Sequence, residues 1–275
     1  DLAAHPGTAA RAVEVACHRR SRVRFASLGS GSRGNALVVE CGSTRVLVDA
    51  GFGPREMARR LARLGLDAAD IQAVLVTHEH ADHCGGVSAC ARRYGWRTYL
   101  THGTLVASRL DAEGIEVTVV DSHEAFAIGD LAIRPFPVPH DAREPIQFVL
   151  GDGVRRLGVL TDAGHVTRHA ANMLDGCDAL FLECNHDLDL LERGSYPRAL
   201  KQRIAGAWGH LDNGAAASLL EAIDRSRLKH VVAAHLSEEN NRPSLACGAL
   251  ATVLACEAES VDVALQDDGL DWRSL

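Results

Sequence analysis

Three histidines and an aspartate fall within six residues, His78-Glu79-His80-Ala81-Asp82-His83, directly after the apolar run 71–76. Neutral imidazoles and a carboxylate are ligands for a borderline-soft divalent cation. At a strand end, side chains at i and i+2 can turn inward together, whereas packing alone gives no reason to set four such groups side by side. Metal binding is therefore the chemistry this spacing points to. Cys84 follows the cluster and reads either as a further ligand or as a small residue at a helix start.

More polar groups stand where apolar runs end. His140 lies in Val138-Pro139-His140-Asp141, Asp162 follows the run 157–161, and His235 follows 231–234. Each alone would be ordinary; their shared position with His78 makes them ligand candidates. Asp49 closes the run 44–49. It is either a turn carboxylate or an acceptor that orients a metal-bound histidine. The loop Gly29-Ser30-Gly31-Ser32-Arg33-Gly34-Asn35 exposes N–H groups and hydroxyls, which suits an anion cradle or a plain hairpin turn.

The elements that must carry these groups can be read from periodicity. Strands are expected at 23–28, 36–40, 44–49 and 71–76, with helices at 54–64, 86–94 and 103–110 between or after them. Strands dominate from 117 to 160, with hairpin turns at Gly129-Asp130 and Gly151-Asp152-Gly153. Helices at 166–174, 197–207 and 213–224 follow, interrupted by a strand at 179–183. This order is α/β with covered sheets. No repeat or linker divides residues 22–275, which are expected to be a single domain. Residues 1–21, rich in Ala and Arg, are expected to be a poorly ordered extension in which His5 and His18 are solvated. The stretch after His235 reads as a polar tail.

Composition narrows the function. Hydrophobic residues at 47% and charged residues at 24% are ordinary globular values. A formal charge of −7 gives no overall basic footprint for nucleic acid. Arg193, Arg198, Lys201 and Arg203 form a local basic run, either a backbone track or a solvated helix face. Aromatic residues at 4% argue against extensive base stacking. The eight cysteines form no CxxC pair and read as thiols of a reducing cytoplasm. No apolar run has the length of a membrane span, and the N-terminus lacks a signal-peptide core, so the expected location is cytoplasmic.

His78-x-His80-x-Asp82-His83, followed in order by His140, Asp162 and His235, resembles the metallo-β-lactamase superfamily of two-metal hydrolases. The segments Ser30–Asn35, Trp208-Gly209-His210-Leu211-Asp212-Asn213 and Ala234–Asn241 resemble its YycJ (WalJ) branch, related to RNase J and tRNase Z. The sequence departs from that branch at Asp212, where Ser is usual. The resemblance implies a four-layer αββα sandwich and two divalent ions, Zn2+ or Mn2+. His78, His80 and His140 would hold one ion, and Asp82, His83 and His235 the other, with Asp162 bridging. Asp49 fits the family's first motif.

The implied activity is that of a phosphodiesterase or exonuclease on DNA or RNA, with a hydroxide between the metals as nucleophile and Asp82 orienting it. His210 either serves the phosphate and leaving oxygen or simply caps and packs. Ser30, Ser32, Asn35 and Asn240 are the candidate substrate contacts. A thioester or small-ester hydrolase of the glyoxalase II kind is the alternative. A non-catalytic metal scaffold fits less well, because the ligand set is complete. The interval from Asp162 to His235 is too short for a clamping domain of the RNase J kind, so substrate engagement would fall to the core or to a homodimer.

Overall fold

The computed structural model describes residues 22–110 and 114–275. The expected extension over 1–21, with His5 and His18, lies outside the described residues. Two seven-stranded sheets are formed among those described. In the first, β1 (Val23–Gly29), β2 (Ala36–Cys41) and β3 (Thr44–Val48) form an antiparallel meander. They continue in parallel to β4 (Ala73–Leu75), β5 (Arg97–Leu100) and β6 (Val117–Val119). The second sheet runs β7 (Phe126–Ile128), β8 (Leu131–Pro137), β9 (Ile146–Gly151), β10 (Arg156–Leu160), β11 (Ala179–Glu183), β12 (His230–Ala234) and β13 (Asp262–Val263). Both expected hairpin turns are present, joining β7 to β8 and β9 to β10.

The two-residue period of the strands divides the apolar residues between layers. Val23, Phe25, Leu37, Val39, Val46 and Val48 face the second sheet and meet Ile133, Phe148, Leu150, Val159, Phe181 and Val232. Their neighbours Ala26, Leu28, Val38 and Leu47 face outward. There they pack on Met57 and Leu61 of α1 (Pro54–Arg63) and on Val87 and Cys90 of α3 (Val87–Tyr94), which follows the single turn α2 (Ala81–Cys84). On the far side, α5 (Arg168–Leu174), α8 (Asn213–Ala222) and α9 (Pro243–Leu254) bury Leu174, Leu219 and Leu250 against Leu160, Leu182 and Val231. The result is the expected αββα sandwich. Each large side chain buried between layers contributes about 1.5–3 kcal/mol.

Several elements differ from the sequence expectation. The stretch after His235 is not a tail. It carries α9, opened by Pro243 in its first turn, and β14 (Leu270–Ser274), which pairs antiparallel with β1 and completes that sheet's edge. Asp187 caps an unexpected short helix, α6 (Leu188–Arg193). The expected helices at 103–110 and 197–207 contract to α4 (His102–Ser108) and α7 (Arg198–Ile204). No helix among the described residues is long and apolar enough to cross a membrane.

The strand register gathers the polar groups. Val48 pairs with Leu75, so Asp49 and Thr77 leave the first sheet together. Leu160 pairs with Leu182 and Leu182 with Ala233, so Asp162, Glu183 and His235 leave the second sheet at the same end of three parallel strands. Asp49, Asp162 and His235 have φ values of 63°, 53° and 53°. The other non-glycine residues in that left-handed region among those described, Arg109 and Ala255, are helix C-caps. Such a conformation costs about 1–2 kcal/mol per residue. Here it turns the chain within two residues of the end of β3, β10 and β12.

Candidate metal centre

Ligand-type atoms of His78, His80 and His140 lie within 4.8 Å of one another, and so do those of Asp82, His83 and His235. Asp162 joins the two sets. It groups with His78 and His83 on one side, and with His235, His210 and Glu183 on the other. Its carboxylate lies 3.2 Å from His83 Nε2, 3.4 Å from His235 Nε2 and 3.9 Å from His140 Nε2. The sequence-selected ligand residues thus converge on one point between the sheets.

The hydrogen-bond network sets which imidazole nitrogen each histidine offers. His83 Nδ1 donates to Asp49 Oδ2 at 2.7 Å, while Asp49 Oδ1 accepts from the Thr77 N–H at 2.8 Å. His78 Nδ1 pairs with the Thr77 hydroxyl at 3.0 Å. His140 Nδ1 donates to the Gly209 carbonyl at 2.9 Å, and His235 Nδ1 to Asn35 Oδ1 at 3.1 Å. These four rings are left with Nε2 toward the centre. His80 differs, because its Nδ1 is the atom 3.3 Å from His140 Nε2.

The donor set fits a divalent cation. His78 Nε2 and Asp162 Oδ2 are buried with no hydrogen-bond partner, an expensive state for polar atoms without a ligand. Burial, reinforced by His83, drives the His78 pKa well below its usual value, and burial lowers that of His140. Both rings are thus neutral, the form that binds metal. Burial also disfavours charge on His83, but Asp162 and Asp49 outweigh it and raise its pKa well above normal. A cation held by His83 Nε2 would take the place of a proton there and supply positive charge to the same carboxylates.

The glycine- and serine-rich loop is built into this centre. Asn35 Nδ2 lies 3.2 Å from Asp82 Oδ2 and 3.1 Å from His83 Nε2, and Asn35 Oδ1 also accepts from the Gly31 N–H at 2.8 Å. The buried Ser30 hydroxyl accepts from the His235 N–H at 2.8 Å. Ser32 is exposed and lines the adjoining cavity. Asn240, 1% exposed, donates to Ser237 Oγ at 3.3 Å and does not line that cavity. Cys84 donates to the Glu79 carbonyl at 3.1 Å and belongs to none of the converging groups.

Gly51 lies between the Asn35 loop and the metal loop. A Cβ there would come within 1.9 Å of the Asp82 carbonyl oxygen. Gly51→Ala is therefore expected to destabilise the fold by about 1–3 kcal/mol or more and to reduce metal content by displacing Asp82. Thermal unfolding and elemental analysis would measure both; a variant with native values on each would contradict this reading of the loop.

Glu183 was not anticipated as a site residue. It is fully buried, accepts from His210 Nδ1 at 2.8 Å, and accepts at its other oxygen from the N–H groups of Ala163 (2.9 Å) and Leu211 (3.2 Å). Burial disfavours charge on His210, yet the Glu183 hydrogen bond and the charges of Glu183, Asp162 and Asp141 prevail, raising its pKa to about 9. The usable signal was Glu183's place at the end of an apolar strand, like Asp49 and Asp162. Asp212 caps α8, accepting from the Gly214 and Ala215 N–H groups at 2.7 and 2.9 Å. Serine can make the same cap.

A cavity of about 330 Å³ opens onto these groups, lined by His80, Asp82, Asp162, His210 and His235 on one side and by Leu200, Arg203 and Ile204 of α7 on the other. Residues 44–235 match the family model described as a β-lactamase superfamily domain. The chain is 33% identical over 235 residues to the exodeoxyribonuclease YycJ of Bacillus anthracis, covering 84% of this chain and 89% of that relative. It is 34% identical over 230 residues to the exodeoxyribonuclease WalJ of Streptococcus pneumoniae, covering 81% and 85%. Its fold is similar to that of the metallo-β-lactamase fold protein YhfI from Bacillus subtilis, with a TM-score of 0.72 at 14% identity, over 93% of this chain and 100% of that one.

Proposed function

Because the chain belongs to the β-lactamase superfamily, and within it to the branch of YycJ and WalJ, we propose that it is a two-metal phosphodiesterase acting on nucleic acid, with DNA as the first substrate to test. The observation that carries this reading is the convergence of two ligand triads on the buried Asp162 at the floor of an open cavity. His78, His80 and His140 would hold one cation and Asp82, His83 and His235 the other, with Asp162 between them. Five imidazoles against two carboxylates favour zinc over manganese. Residues 22–275 would act as one hydrolase domain, in the cytoplasm, as a monomer or homodimer.

Bound divalent cations supply Lewis acidity, which generates a nucleophile from water at neutral pH and offsets charge on the phosphoryl oxygens. The protein's own groups do the remaining work. Asn35 fixes Asp82, which lines the cavity and is placed to orient the attacking water. His210, with Nδ1 engaged by Glu183, has its Nε2 edge available to donate to a phosphoryl or leaving oxygen in the cavity it lines. The walls of the sandwich exclude bulk water from the buried side of the centre, strengthening each of these interactions.

The test is an assay of the purified protein with Zn2+ or Mn2+ against end-labelled single- and double-stranded DNA and RNA, bis-p-nitrophenyl phosphate and a glutathione thioester. Phosphodiester cleavage is expected, lost in EDTA and in His80→Ala. Metal removal should also lower the thermal midpoint by on the order of 10 °C, since the ions bind only the folded site. Thioester turnover without phosphodiester cleavage would sink the proposal.

A further inference from the structure

Trp208 is 62% exposed, while Trp96 is buried and Trp272 lies beneath the Arg24 guanidinium. Its backbone is held firmly beside the catalytic cavity. The Trp208 carbonyl accepts from the Asp141 N–H at 3.0 Å, and the preceding Ala207 carbonyl accepts from His165 Nδ1 at 3.0 Å. Gly209, the next residue, lines the cavity and accepts from His140. Gly164 packs so closely beneath this turn that a Cβ would sit 2.2 Å from the Ala207 oxygen. The exposed ring is thus carried on a backbone fixed at the edge of the cavity.

The surroundings suit a nucleotide strand. Across one wall of the cavity, α7 presents Leu200, Arg203 and Ile204. Arg203 Nε donates to Asp141 Oδ2 at 2.6 Å while the side chain stays largely exposed. The cavity, about 330 Å³, is of the size that admits a single small ligand group. A polymer reacting there must therefore run out over the rim. The chain neighbours of Trp208 are Ala205, Gly206, Ala207 and Gly209, whose small side chains add little apolar surface of their own.

We propose that Trp208 is a stacking platform for an unpaired nucleobase adjacent to the scissile phosphodiester, with Arg203 receiving a neighbouring phosphate, so that the enzyme engages single-stranded ends. This rests on the phosphodiesterase reading. Base–aromatic stacking needs a free base face, which a duplex conceals, and tolerates any sequence.

The probe is a nuclease-resistant phosphorothioate oligonucleotide, single-stranded or duplex, titrated into the metal-loaded protein while tryptophan emission is followed. The single strand should quench wild-type emission strongly and the blunt duplex weakly. Trp208→Ala should weaken single-strand binding about tenfold, the scale of one lost stack, by equal factors at low and high salt, and Trp208→Phe should restore most of it. On a cleavable single strand the loss should appear in KM more than in kcat. Absence of quenching at saturation in the wild type would overturn the proposal without recourse to any variant. So would a folded Trp208→Ala protein that binds as wild type, or one whose defect is the dissociation of a dimer. If quenching occurs but no phosphodiester is cleaved, the platform stands and the functional reading fails.

Discussion

Asp162→Asn is expected to lower phosphodiester cleavage by at least about a thousandfold, the scale of several kcal/mol of lost electrostatic stabilisation. The two side chains have nearly the same shape, so the fold should survive. An amide could not balance the charge of the two proposed cations, and its NH2 would face the very nitrogens, His83 Nε2 and His235 Nε2, that surround the carboxylate. Metal content should fall along with rate. Elemental analysis and hydrolysis of bis-p-nitrophenyl phosphate measure the two separately. Full metal occupancy with an undiminished rate would remove Asp162 from the centre.

Glu183→Gln is expected to act differently, reducing kcat on DNA by about a hundredfold while leaving metal content and KM near wild type. The carboxylate accepts from three donors, His210 Nδ1 and the N–H groups of Ala163 and Leu211. A glutamine must turn an NH2 toward one of them, and it removes the charge that favours a protonated His210. The decisive readout is the leaving group. A p-nitrophenolate departs without protonation, so the variant should be much less impaired on bis-p-nitrophenyl phosphate than on DNA. Equal losses on both substrates would mean that Glu183 merely holds the fold. Some loss of thermal stability, about 1–3 kcal/mol, should accompany the change because a buried donor is left unsatisfied.

The candidate metal loop was legible because its donors are local in sequence, and His140, Asp162 and His235 because each follows closely on an apolar strand. Their convergence depends on register between strands distant in the chain, which sequence spacing does not encode. Glu183 illustrates the limit. It reads as the last residue of the strand 179–183, and its partner His210 lies 27 residues away in a turn without regular periodicity. Ser30 and Asn35 suggested an anion cradle by their chemistry, whereas the fold turns their polar atoms toward His235 and Asp82. The segment after His235 looked polar because Glu238, Glu239, Asn240 and Asn241 precede the apolar residues of α9, although Leu270-Asp271-Trp272-Arg273 alternates as an edge strand does. In the basic run, Lys201 turns to the Glu192 carbonyl, whereas Arg203 lines the cavity and pairs with Asp141, a division that sequence spacing does not show.

The left-handed turns at Asp49, Asp162 and His235 bear on how such a centre could be transplanted. Outside glycine, aspartate, asparagine and histidine are the residues that enter this backbone region most readily. Aspartate and histidine are also what the chemistry requires. Glycine at these positions would relax the chain but supply no donor; glutamate or cysteine would supply a donor on a backbone less suited to it. Chain geometry and coordination chemistry therefore select the same short alphabet. A designer moving this centre to another scaffold must copy the three left-handed turns before choosing the side chains.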